Sequence, residues 1–308
     1  MWGLSVSLTR KGIMVQLETR RLFLLAAAAL LPVTVLLAGC QPSSTEDPDA
    51  AATAPGAPTR DGDPVTLGTY RVLASEILDE VRVLQVRIPT GYDDTDESYP
   101  VVYLFHSDEV DLYFSLAVHD LRVLGRNQMP PVILVGIANT DRLRDMLPWP
   151  TPNGRGGQAE RFLEFVTTEL IPFVESEYRA NGTRILVGPQ VSAEFVAWAM
   201  MMNPERFDAF IIENPCGIEW EPNSLCGPMV DFARSPAAVG KYLSISSPAD
   251  PPREAIEYLR EIETGLTERV ADGFRWRVDM REGAGNFHDS HSMRDAFRAL
   301  FAEASFGG

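Results

Sequence analysis

The stretch RILVGPQVSAEFVAWAM, residues 184–200, sets an apolar run against a glycine and then against a helical pattern. A serine at the tip of such a strand-to-helix turn acts as a nucleophile when a histidine accepts its proton and an acid orients that histidine. Here the central position holds Gln190. A carboxamide cannot be activated by a histidine into an acyl-accepting nucleophile, so the covalent route is closed at this position. Ser192, two residues later, reads as a helix-start serine near the N-cap of AEFVAWA; a relocated nucleophile is the other reading. His288 and His291 in NFHDSHSM could hold a metal with Asp289, but the chain contains no HExxH or CxxC pattern, and no metal or other cofactor is expected. Gly154, Gly156 and Gly157 form neither a dinucleotide nor a P-loop pattern and read as a flexible loop.

The N-terminal sequence is an address and is set apart from the fold. Arg20 and Arg21 precede the apolar run LFLLAAAALLPVTVLLA, which ends in Leu37-Ala38-Gly39-Cys40. This resembles the lipobox of bacterial lipoproteins, in which the cysteine is lipidated and becomes the first residue of the mature chain; an uncleaved membrane anchor is the alternative. Met14 is a candidate start. The reading divides the chain into a leader over 1–39, a lipidated Cys40 with a tether over 40–64, and one domain over 65–308. The tether, QPSSTEDPDAAATAPGAPTRDGDP, has no large apolar residue and spans about 25–30 Å as a coil.

Charge narrows the partners. The chain carries 27 Lys and Arg against 43 Asp and Glu; after residue 40 the balance is 23 against 42, a net −19. With no clustered basic residues, nucleic acid is excluded as a partner. Anionic lipid head groups would repel such a surface, so membrane contact is expected through the acyl chains on Cys40. A bacterial cell envelope location follows. In an oxidising compartment Cys216 and Cys226 could close a disulfide around NPCGIEWEPNSLC; two free thiols are the alternative.

The elements that must position these residues alternate from Tyr70 onward. VRVLQVRIP (81–89) has period two, and YPVVYLF (99–105) and PPVILVGI (130–137) are continuous apolar runs of buried-strand length. Helical patterns cover 114–124, 157–178 and 193–201. FDAFIIENP, KYLSISSP, REAIEYLREIETGL, FRWRVDMREG and SMRDAFRALFAEA continue the rhythm. The expected fold class is α/β, a mainly parallel sheet with helices on both faces and its crevice at the carboxyl ends of the strands. Two Pro-rich segments, 146–157 with Trp149 and 216–236 with Trp220, would suit a lid or rim over that crevice; irregular surface connection is the other reading.

SEILDEVRVLQVRIPTGYD, YPVVYLF, PPVILVGIANTDRLRDMLPWP and ERFLEFVTTELIPFVESEYRANGTRILVG together resemble the esterase D and enterochelin esterase group of α/β-hydrolases, over about residues 70–304. The resemblance implies an α/β-hydrolase fold and a serine hydrolase acting on small esters, thioesters or siderophore lactones. It places the nucleophile at Gln190, where similar proteins read GHSxGG and this chain reads Gly188-Pro189-Gln190-Val191-Ser192-Ala193. It places the catalytic histidine at His288, with His291 competing, and the acid at Asp250, with Glu254 in reserve. Asp250 and Glu254 also read as first-turn acids of the following helix. Family members carry Asp-Gly after the YPVVYL strand; here Phe105-His106-Ser107-Asp108 lacks that glycine, which restricts an oxyanion-binding N–H. Nucleophile, elbow glycines and oxyanion loop depart together.

The sequence therefore leads to an esterase-like envelope protein that lacks the serine-hydrolase nucleophile and binds a small ester-like ligand or an envelope protein. The alternative is an active carboxylic-ester hydrolase with a non-standard site using His288.

Overall fold

The structure, a computed structural model, describes residues 66–105, 112–125, 128–138, 141–215, 225–247, 253–280 and 290–302. Its centre is one eight-stranded sheet in the order β1-β2-β4-β3-β5-β6-β7-β8. The strands are β1 (Thr69–Ser75), β2 (Glu80–Arg87), β3 (Tyr99–Phe105), β4 (Ile133–Ile137), β5 (Ala180–Pro189), β6 (Ala209–Glu213), β7 (Tyr242–Ser246) and β8 (Arg275–Asp279). β1 and β2 form an antiparallel hairpin, β2 runs antiparallel to β4, and every pairing from β4 to β8 is parallel. The mainly parallel α/β sheet expected from the alternation is the one observed.

The apolar runs explain the layering. All seven residues of β3 are buried, because helices cover both faces of a parallel sheet. Val101, Tyr103 and Phe105 point to one core and Val102 and Leu104 to the other, as the period of two requires. The second core is closed by α1 (Leu112–Leu124) and α8 (Ser290–Ala302). The first is closed by α2 (Arg142–Met146), α3 (Ala159–Phe165), α4 (Ile171–Glu177), α5 (Val191–Met202), α6 (Cys226–Arg234) and α7 (Arg253–Glu268). Phe105, Phe162 and Phe195 meet there edge to face, with centroids 4.9 to 6.0 Å apart. That cluster seats α5 against β3 and α3.

Three local features depart from the sequence reading. The helix expected over 157–178 is interrupted by a π turn, Val166–Leu170. Pro172, which has no N–H to donate, follows at the start of α4. Thr167 and Thr168 donate their hydroxyls to the carbonyls of Leu163 and Glu164 at 2.9 and 2.8 Å, satisfying acceptors that the wider turn leaves. β1 is a whole strand where the pattern gave only a beginning near Tyr70. The segment 146–157 is a pinned turn: Pro150 bridges Gly156, Thr151 N–H donates to the Arg155 carbonyl, and Gly157 N–H donates to that of Leu147. Gly156 has φ 91°, and a Cβ there would meet the Trp149 carbonyl oxygen at 2.8 Å. Trp149 packs half-buried on the core beneath, so this segment is held as a fixed turn.

A buried ionic network braces the same side. Arg82 on β2 and Asp145 on α2 are each 1% exposed and bonded at 2.7 Å. Arg144 binds Asp145 and Glu80, each at 2.7 Å, and Arg82 also pairs with Glu80. The Arg82 guanidinium lies 5.3 Å from the Phe162 ring centroid. A charge this deeply buried is tolerated only when paired; the pairing fixes α2, which packs on α5, and so stiffens the helix that leaves the elbow.

Candidate functional site

The carboxyl ends of β5 to β8 are laddered by backbone bonds. Gln190 N–H donates to the Glu213 carbonyl at 2.8 Å, Asn214 N–H to Ser246 at 2.8 Å, and Ser247 N–H to Asp279 at 2.9 Å. Gln190, Glu213, Ser246 and Asp279 thus stand in a row along the crevice edge of the sheet.

Gln190 occupies the bend between β5 and α5 with φ 55° and ψ −127°. A non-glycine residue in this region carries about 1–3 kcal/mol of backbone strain and persists only where its surroundings impose it. The imposing contact is at Gly188. A Cβ on Gly188 would lie 2.3 Å from the Ser192 carbonyl oxygen and 2.6 Å from Val196 Cγ2, so strand and helix approach as closely as backbone permits. The bend is the sharp strand-to-helix turn that a nucleophile elbow requires. Gln190 is partly exposed at its tip and its carboxamide does not cap the helix. Ser192 and Ala193, which stand where the family carries elbow glycines, are both fully buried in the first turn of α5.

Ser192 lies inside the first turn of α5, is 0% exposed, and its Oγ has no hydrogen-bond partner among the described residues. The N-cap position belongs to Gln190, so Ser192 does not cap the helix. A hydroxyl without solvent access is poorly placed to attack a substrate.

Glu213, which the sequence reading passed over, is 8% exposed at the end of β6, one strand from the elbow. Its Oε1 accepts a hydrogen bond from Ser292 Oγ of α8 at 2.6 Å. The signal was an acid closing the buried run AFII immediately before Asn-Pro. The structure brings Gln190, Glu213 and Ser292 together. His288, Asp250, Cys216, Trp220 and His106 lie outside the described residues, as do the side chains of His291, Glu254 and Cys226. No group of His, Cys, Asp and Glu among the described residues converges as a metal site would.

Residues 75–254 match the model of the family described as "Putative esterase", more than half of the chain. The chain belongs to this esterase family. Its esterase domain resembles the structure of an IroE-like serine hydrolase from Shewanella oneidensis, with a TM-score of 0.63 and 27% identity over 76% of this chain and 80% of that one. The α/β-hydrolase fold is shared with that neighbour. The YbbA protein of Bacillus subtilis is 21% identical over 215 residues, 65% of this chain and 84% of YbbA. The ferri-bacillibactin esterase BesA of Bacillus subtilis is 28% identical over 146 residues, 40% of this chain and 49% of BesA, so the match spans about half of that relative.

Proposed function

We propose that this esterase-family chain is a lipid-anchored envelope protein that has given up the serine-hydrolase reaction and uses the crevice at Gln190 to bind a small ester-like ligand or an envelope partner. One observation carries the reading: the elbow is kept, strain included, with a carboxamide at its tip. Retention of the strained bend supports a preserved crevice, and a carboxamide offers a donor and an acceptor to a bound ester carbonyl or amide without attacking it. The name of BesA, a ferri-bacillibactin esterase, supports a siderophore-type ester as the ligand class. Leu37-Ala38-Gly39-Cys40 and the uncharged leader run support anchoring in a bacterial envelope.

A second reading, a hydrolase in which His288 activates water and Gln190 polarises the carbonyl, is favoured by Glu213, a buried carboxylate held beside the elbow and bonded to the helix that begins just after His288. One panel separates the two readings. Wild type, Gln190→Ser and His288→Ala are assayed on short acyl esters and with a fluorophosphonate probe. The first reading expects no turnover and no labelling in wild type and both in Gln190→Ser. Wild-type turnover abolished by His288→Ala would establish the second reading, and wild-type labelling at a serine would sink both.

A further inference from the structure

The rim of the sheet opposite Gln190 holds a cavity of about 410 Å³ between the end of β2, the end of α1 and the entry to β4. Its walls are apolar where Ile88, Leu121, Met129 and Leu134 line it, and two guanidiniums, of Arg87 and Arg122, stand at it. No carboxylate is among the lining residues, and neither arginine has an ion-pair partner among the described residues. The chain is otherwise acidic and pairs some of its arginines with carboxylates. Its net charge is −16, and Arg71, Arg82, Arg144, Arg184 and Arg277 each sit against a carboxylate.

Arg87 is half-buried and Arg122 exposed, close enough for one charge to act on the other. Arg87 donates from Nη1 to the Leu67 carbonyl at 2.8 Å, which fixes one edge of the guanidinium and leaves the rest of its donors. Burial, and then the neighbouring Arg122 charge, lower its pKa from the ordinary arginine value.

We propose that this cavity is a binding site for an amphipathic carboxylate, its head held by Arg87 and Arg122 and its hydrocarbon tail on the apolar wall. Guanidinium forks match a planar carboxylate in two-point geometry, and the volume is that of a site for a small ligand. The site is separate from the Gln190 crevice and stands whether or not the elbow is catalytic.

Calorimetric titration of the full chain with sodium octanoate at low salt tests it, with octanamide as the neutral isostere and inorganic phosphate as the headgroup without a tail. Saturable octanoate binding is expected, weakened about tenfold or more in Arg122→Gln and in Arg87→Gln and in the octanamide titration. Arg122 is exposed, so Arg122→Gln keeps the wild-type unfolding temperature and loses only the rise that octanoate gives. Absence of saturable binding, binding undiminished in both variants, equal binding of octanamide, or tighter binding of phosphate than octanoate would each overturn the proposal.

Discussion

At Gln190 the chain holds a side chain where L-residues rarely sit, and the cause is one residue earlier. Gly188 leaves no room for a Cβ against the Ser192 carbonyl and Val196, so β5 passes into α5 through a tightly closed bend. This gives opposite outcomes for two small substitutions. Gln190→Gly removes the penalty at φ 55° and is expected to stabilise the fold by about 1 kcal/mol, reduced by the greater freedom of glycine in the unfolded chain. Gly188→Ala drives a Cβ into backbone and is expected to destabilise by about 3 kcal/mol or more, because neither partner can move without breaking the strand or the helix. Urea unfolding of both variants beside wild type checks the pair; a stabilised Gly188→Ala would show that the elbow is less tightly closed than described.

Among the elements, α2 shows how a short helix is kept in place by its ends. Asp141 is its N-cap, and its Oδ1 accepts from the Arg144 N–H at 3.2 Å and from Arg155 at 3.1 Å. Burial raises the Asp141 carboxyl pKa, but the Arg144 amide and the Arg155 guanidinium outweigh it and leave the carboxyl below its ordinary value. A carboxyl depressed in the folded state binds fewer protons there than in the unfolded chain. Its contribution is therefore present above the unfolded value, about 3.9, and is lost as pH falls through the folded value. Asp141→Ala is expected to cost about 1 kcal/mol at pH 7, with the gap to wild type closing below about pH 4; thermal unfolding followed across pH 2–7 measures it. NTDRLRDMLP was legible as a family segment, yet its reason was not: Asp145 meets Arg82, 63 residues earlier, and only the antiparallel pairing of β2 with β4 puts them side by side.

For the molecule as a whole, the charge balance and the leader place the domain on a tether in the proposed reading. In that reading a net −19 after residue 40 would hold the domain off anionic lipid, and since a single acyl chain gives only reversible binding, stable anchoring would require more than one chain on Cys40. Cys40→Ala is expected to abolish incorporation of labelled fatty acid and to move the protein from the membrane fraction to the soluble fraction. Retention in the membrane without acylation would favour an uncleaved anchor. No helix of the described residues is long and apolar enough to cross a membrane.

Local periodicity was enough to read most of the sheet and helices, because apolar runs such as YPVVYLF and amphipathic stretches such as REAIEYLREIETGL carry their own spacing. The same locality located the elbow and put a carboxamide at its tip. Strand order and close approach decided the rest. The positive φ of Gln190, the burial of Ser192, the Glu213 contact to Ser292 across 79 residues and the presence of Arg87 and Arg122 at one cavity depend on which strands are neighbours and how closely a helix packs on them. No spacing along the chain encodes those distances. They arise when side chains far apart in sequence compete for one volume, and that competition exists only in the folded sheet.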